Sequence, residues 1–267
     1  MQGALAPVLL RADAEGVATL TLNRPAARNG LSVALLDALS AALAEIAGDP
    51  EVRCVVIAAA GPVFCAGHDL KEITAAFGQP DGGRAVFTDL MRRCAGVMRA
   101  MPALPQPVIA SVGGLATAAG CQLVAACDLV VASEAARFQT PGVDIGLFCS
   151  TPAVALSRAV GRKSAMEMLL TGDAVDAEEA RRIGLVNRVV PADRLSDEVQ
   201  ALAARIASRS ALAVSLGKRA FHAQHGLPLE DAYEIAAATM VENLLAEDAA
   251  EGIGAFLGKR APQWRHR

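Results

Sequence analysis

The chain has 267 residues, of which 53% are apolar and 20% charged, with a formal net charge of −3. At roughly 150 residues per domain this is one large domain, or one domain with an appendage, and it has the apolar residues to bury a large core. The slight negative balance argues against nucleic acid or an acidic membrane as the main partner, and 3% aromatics offers little for stacking on bases.

The segment "PVLLRADAEGVATLTLNRP" reads as two strands around a turn at Glu15-Gly16. "SVALLDALSAALAEIAGDP" is an amphipathic helix that Ser32 can cap and that Gly48-Asp49-Pro50 stops. "VRCVVIAAAG" is a buried strand, too apolar to alternate. A short helix, "HDLKEITAAF", a Gly-rich loop and a helix up to Met101-Pro102 follow. "QPVIASVGG" is a second buried strand. "GLATAAGCQLVAACD" (114–128) reads as a helix with a small-residue start, and "LVVASEAARFQT" as paired short strands. A turn after Pro141, helices around 151–159, 163–170 and 176–182, and the strand "GLVNRVVP" come next, and from about Asp193 the period is helical. Strands alternating with helices predict an α/β fold, with a strand-rich core over 1–191 and a helical region over 192–267.

Two stretches share one grammar: buried strand, small residues, helix. They are "PVFCAGHDLKE" (62–72) and the start of 114–128. Such junctions present backbone N–H groups at the positive end of a helix. Each taken alone is also what an ordinary strand-to-helix turn looks like; two of them facing each other would make an oxyanion hole.

No apolar run reaches ~18 residues, so no membrane span is expected. The six cysteines include no C-x-x-C pair and read as buried thiols of a reducing compartment. His222 and His225 stand at i, i+3 spacing without a nearby acid, a pattern of a solvated helix face rather than a metal site. Cys149-Ser150 reads as packing rather than as a nucleophile. No leader pattern is read at the start, and the Ala- and Arg-rich composition leads to an expected bacterial-type cytoplasmic protein.

Four blocks, "FCAGHDLKEI", "QPVIASVGGLATAAGCQLVAACDLVVASEAARF", "EMLLTGDAVDAEEARRIGLVNRVVP" and "EGIGAFLGKRAPQW", stand in an order and spacing that resemble the enoyl-CoA hydratase/isomerase (crotonase) family over essentially the whole chain. The run "TPGVDIGLFCSTPAVALSRAVGRK" is most similar to the enoyl-CoA-hydratase-domain-containing branch, whose animal members are mitochondrial. The resemblance implies a spiral of ββα turns and a C-terminal helical region that builds homotrimers, often paired into hexamers. It implies an acyl-CoA thioester as ligand, a place in fatty acid and acyl-CoA metabolism, and no cofactor beyond the coenzyme A of the substrate. It implies a hole formed by the N–H groups of His68 and Ala119, the latter where the family usually has glycine. Coenzyme A contacts are implied at Arg28, Ala66, Gly67, His68 and Leu70, with Phe256 and Lys259 reaching a neighbouring subunit's coenzyme A.

The family's two catalytic glutamates fall on Gln122 and Gly142, and a third acid used by some members falls on Ser150. An amide can hold water but cannot shuttle a proton at neutral pH, so ordinary hydration is not expected. Asp144 is a candidate substitute: in an extended segment it would share a face with Gly142, displaced by ~6.6 Å. A loop acid bonded to nearby N–H groups is the other reading of Asp144. The imidazole of His68 can also face the acyl group, as in decarboxylating relatives, which need no water-activating pair. Three functions stay open: an enzyme acting on acyl-CoA by a displaced chemistry, a decarboxylase- or hydrolase-like relative, and a non-catalytic acyl-CoA-binding oligomer.

Overall fold

A computed structural model describes residues 6–267. The strands are β1 (Leu9–Ala14), β2 (Val17–Leu22), β3 (Cys54–Ala59), β4 (Val63–Cys65), β5 (Val108–Val112), β6 (Leu115–Thr117), β7 (Leu129–Ser133), β8 (Arg137–Gln139), β9 (Val175–Asp176) and β10 (Arg188–Val190). The helices are α1 (Val33–Ala47), α2 (Leu70–Ala76), α3 (Arg84–Ala103), α4 (Ala119–Ala126), α5 (Ser150–Ala159), α6 (Arg162–Thr171), α7 (Ala177–Arg182), α8 (Leu195–Ala207), α9 (Ala211–Gln224), α10 (Leu229–Leu244) and α11 (Glu247–Leu257).

Two sheets result: a six-stranded one in the order β1-β2-β3-β5-β7-β10 and a four-stranded one in the order β4-β6-β8-β9. The chain lays one strand in the large sheet, one in the small sheet, then a helix. It does so as β3-β4-α2, as β5-β6-α4 and as β7-β8 leading to α5. This is the expected spiral of ββα turns. β3, β5 and β7 run parallel, buried on both faces, which explains their unbroken apolar sequences. The strands read as a pair in "LVVASEAARFQT" are not partners: β7 pairs β5 and β10, while β8 pairs β6 and β9. The spiral requires this, because each turn crosses from one sheet to the other.

Local signals act as read. Ser32 caps α1 by accepting from the Leu35 N–H at 3.2 Å. Asp69 caps α2 by accepting from the Lys71 N–H at 3.0 Å. Glu72, in the first turn of α2, reaches across to accept from the Val33 N–H of α1 at 2.9 Å.

Part of the expected helical region 192–267 packs against the strands. α8 lies across the large sheet, and its Val199, Leu202, Ala203 and Ala207 close a second apolar cluster with Val17, Cys54, Val56, Ile109 and Val131. Only α9–α11 stand apart from the core. α10 has no buried residue, and Leu245 and Phe256 are each 83% exposed, so a large apolar surface has no partner within the chain.

Lys218 ties α9 to the core. Lys218 Nζ donates to the carbonyls of Met101 (2.8 Å) and Gln106 (2.9 Å) and to the Asp128 carboxylate (2.6 Å). Burial pushes the ammonium below its usual value, and the Asp128 charge opposes that shift. Asp128 also accepts from the Val108 N–H at 2.7 Å and meets His222 Nε2 at 3.3 Å. Deleting one partner of a buried ion pair strands the other charge. Lys218→Met is therefore expected to cost about 3 kcal/mol or more in urea unfolding; a loss below about 1 kcal/mol would show that the pair is not a tie.

Candidate active site

The site begins where β4 ends. Gly67 has φ +86°, a conformation glycine adopts without strain, and its carbonyl accepts from the Leu31 N–H at 2.7 Å. The Asp69 N–H donates to the Leu31 carbonyl at 3.3 Å. Leu31 thus uses both of its main-chain groups on the neighbours of His68, as in a parallel bridge. The N–H of His68 points the other way, and it donates to no main-chain acceptor among the described residues.

This loop is braced from behind. Arg24 Nη2 pairs with Asp69 at 2.8 Å while its Nη1 donates to the Gly30 carbonyl. The Arg24 hydrogen bond is the main reason the Asp69 carboxyl is held below its ordinary value. Asn29, fully buried, donates to the carbonyls of Ala60 and Val63, each at 2.8 Å. The Arg28 carbonyl accepts from the Ala66 N–H at 3.0 Å. Arg28 is exposed and has no ion-pair partner among the described residues. Arg28, Ala66, Gly67 and His68 thus form one continuous rim, with Leu70, 56% exposed, on the first turn of α2.

The second wall is the junction between β6 and α4. Ala118 holds φ 51°, ψ −118°, a region L-residues seldom occupy and one that costs on the order of 1–3 kcal/mol. α4 starts at Ala119, so the Ala119 N–H is one of the helix's first donors and has no main-chain acceptor among the described residues. The two junctions touch. A Cβ on Gly120 would lie 2.2 Å from the Cys65 carbonyl oxygen, and a Cβ on Gly67 would lie 3.0 Å from the Ala118 Cβ and 3.4 Å from the Ala119 nitrogen. The structure brings His68 and Ala119 together as neighbouring, unclaimed donors.

One turn along α4, Gln122 is buried, and its Oε1 lies 3.9 Å from the Cys94 sulfur. Burial pushes the Cys94 thiol up to about 12, so it stays protonated and faces the amide as a weak donor. At Gly142 the space is taken. A Cβ there would sit 3.0 Å from Cys149 Sγ and 3.1 Å from the Leu147 carbonyl oxygen. Burial raises the Cys149 thiol, opposed by a hydrogen bond from the Gly142 backbone. Neither cysteine was signalled by sequence spacing.

The premise for Asp144 does not hold. Pro141–Ile145 is a 3-10 helix, not an extended segment, and at three residues per turn positions 142 and 144 face different ways. Asp144 is exposed, with Oδ1 3.3 Å from where a Cβ of Gly172 would lie. Ser150 is exposed at the start of α5 and donates to the Phe148 carbonyl at 3.3 Å. Phe256 and Lys259 stand exposed in and just after α11, which packs on α9 and α10. His222 does have an acid partner, Asp128, 94 positions away in the chain. Among the described residues no His, Cys, Asp and Glu cluster is arranged to hold a metal, and no helix is long and apolar enough to cross a membrane.

The His68 ring sits in the loop between β4 and α2. Both its nitrogens are buried without a hydrogen-bond partner among the described residues. Burial holds the imidazole below its ordinary 6.5, and the Leu31 carbonyl, near but outside bonding geometry, pulls weakly the other way. The ring is neutral at pH 7.

Comparison with known proteins agrees with this architecture. A family model described as enoyl-CoA hydratase/isomerase matches residues 12–267. The mitochondrial enoyl-CoA hydratase domain-containing protein 3 of Rattus norvegicus is 48% identical over 252 residues, 94% of this chain and 82% of that protein. Its Xenopus laevis counterpart is 45% identical, over 97% and 87% of the two chains. Among solved structures, an enoyl-CoA hydratase from Mycobacterium smegmatis is 52% identical, with TM-score 0.92 over 97% of this chain and 99% of that one. The human enoyl-CoA hydratase domain-containing protein 3 is 46% identical, with TM-score 0.92 over 96% and 100%. These relatives overturn the expected cytoplasmic placement, since the rat and Xenopus proteins that the chain matches are mitochondrial. That expectation leans on overall composition and on the first few residues, whereas the likeness extends over the whole folded body.

The depressed imidazole makes a pH prediction. A group whose folded value lies below its unfolded 6.5 leaves stability whole above that pH and withdraws it as pH falls through the folded value. Thermal unfolding is expected to show a melting temperature that declines as pH drops below about 6.5, with a shallower decline in His68→Gln. Identical pH slopes in the two proteins would show that the ring is not a buried neutral group.

Proposed function

The chain belongs to the enoyl-CoA hydratase/isomerase family, and from that premise we propose that it binds an acyl-CoA thioester and stabilises its enolate by a chemistry other than two-carboxylate hydration. One observation carries the reading: the main-chain N–H groups of His68 and Ala119, from separate junctions in contact, are both unclaimed. A thioester oxygen between them would accept two hydrogen bonds that strengthen as charge moves onto it. Each such donor is worth about 3 kcal/mol in a transition state. The exposed Arg28 beside Ala66 suits the phosphates of coenzyme A. The apolar faces of α10 and α11 suit a homotrimer or a hexamer of two trimers, in which Phe256 and Lys259 would meet a neighbour's coenzyme A.

Hydration needs a base for water and an acid for C2. Gln122 can orient a water but not take its proton. Gly142 has no side chain and no room for one without movement of Cys149. Asp144 faces elsewhere. The same lack favours a second reading, decarboxylation. When a carboxylate β to the thioester leaves as CO2, the electron pair of the broken C–C bond flows onto C2 and the thioester oxygen. The hole then supplies the stabilisation and no base is required, only a later proton for C2. The non-catalytic reading keeps the binding step and drops the chemistry.

Crotonyl-CoA separates hydration from binding. Calorimetry is expected to show that it binds. Loss of enoyl absorbance is expected to be at least about 10⁴-fold slower than for a two-glutamate enzyme, because each missing group removes about 10²–10⁴-fold. Gln122→Glu restores one carboxylate and is expected to raise hydration by on the order of 10²-fold. Wild-type hydration at the two-glutamate rate would overturn the proposal.

A further inference from the structure

A cavity of about 830 Å³ begins at Gln122 and touches neither His68 nor Ala119. On α4 the residues Ala119, Gln122 and Ala126 lie along one face, at i, i+3 and i+7, so the cavity continues the line that starts at the candidate hole. From Ala119 to Ala126 the helix rises about 10 Å, the reach of a medium-length acyl chain. The floor is apolar, formed by residues such as Val124, Val130 and Leu185, and suits methylene groups.

The lining also holds two cations, Arg99 of α3 and Arg158 of α5, from separate elements. Both are exposed, and neither has a carboxylate partner among the described residues; Arg158 spends one N–H on the Val154 carbonyl at 2.8 Å. The other charges in the lining are Lys218 and Asp128, which neutralise each other at 2.6 Å. The cleft therefore carries an excess of two positive charges above an apolar floor. A plain alkyl chain has nothing to offer these guanidiniums, whereas a carboxylate can take charge-assisted, bidentate hydrogen bonds from them.

We propose that the preferred acyl group ends in a carboxylate, remote from the thioester, held by Arg99 and Arg158 at the far end of this cavity. The inference rests on the acyl-CoA reading above and adds the chemical class of the acyl group.

The test compares octanoyl-CoA with suberyl-CoA, the same chain bearing a terminal carboxylate, by calorimetry on the full-length protein in low and high salt. Suberyl-CoA is expected to bind at least about tenfold tighter at low salt, with the margin shrinking at high salt. In the double variant Arg99→Gln, Arg158→Gln the margin is expected to fall below about twofold, while octanoyl-CoA binds as in the wild type. Both arginines are exposed, so the variant keeps the core intact, and an unchanged melting temperature verifies it. Equal binding of the two thioesters overturns the terminal-carboxylate proposal and leaves the acyl-CoA reading standing. Preference for suberyl-CoA that survives in the double variant overturns the assignment to these arginines. Binding of neither thioester overturns both readings.

Discussion

The architecture turns on one close approach of backbone to backbone. The first turn of α4 rests directly on the end of β4, so near that a methyl on Gly120 would overlap the Cys65 carbonyl. Beside it, Gly67 leaves just enough room for Ala118 and the Ala119 nitrogen. Packing this tight sets two strand-to-helix junctions side by side and leaves one N–H on each with no acceptor. The arrangement has a cost, visible in the strained backbone of Ala118. The neighbouring core offsets it: Arg24 and Asn29 fix the first loop from behind, and β6 and β8 hold the second through the bond from the Ala118 N–H to the Gln139 carbonyl at 3.0 Å.

The groups around these two donors are neutral. The Gln122 amide and the protonated Cys94 thiol face each other, and the Cys149 thiol and the Leu147 carbonyl crowd Gly142. The only ring in the loop is an imidazole kept neutral by burial. A site of this kind can polarise a carbonyl without moving protons through carboxylates, which is a narrower chemistry than hydration. Under the terminal-carboxylate proposal, the cavity beyond Gln122, lined by Arg99 and Arg158, would select the ligand by charge as well as by length.

Much of this was legible in the chain. The unbroken apolar runs identify β3 and β5, the cap at Ser32 places α1, and the two small-residue stretches fall at the β4–α2 and β6–α4 junctions. What stayed hidden depends on contacts between distant segments. Whether β7 and β8 pair is decided by the crossing between two sheets, and α8 joins the core because it covers a sheet face that local period cannot reveal. Asp144 was misplaced because a five-residue 3-10 helix and an extended turn share the same residue preferences. The cavity draws its two arginines from α3 and α5, and His222 meets an acid 94 residues away; no spacing rule reaches that far.

The vibrational frequency of a bound thioester carbonyl reports directly on whether two amides grip its oxygen. Infrared difference spectra of crotonyl-CoA labelled with ¹³C at the thioester carbon, free and bound, isolate that single bond. Polarisation by the His68 and Ala119 N–H groups should lower the stretching frequency below its value in water. A bound carbonyl that vibrates as it does in solution would mean the two donors do not converge on the ligand, and the enolate chemistry assigned to this fold would have no foundation.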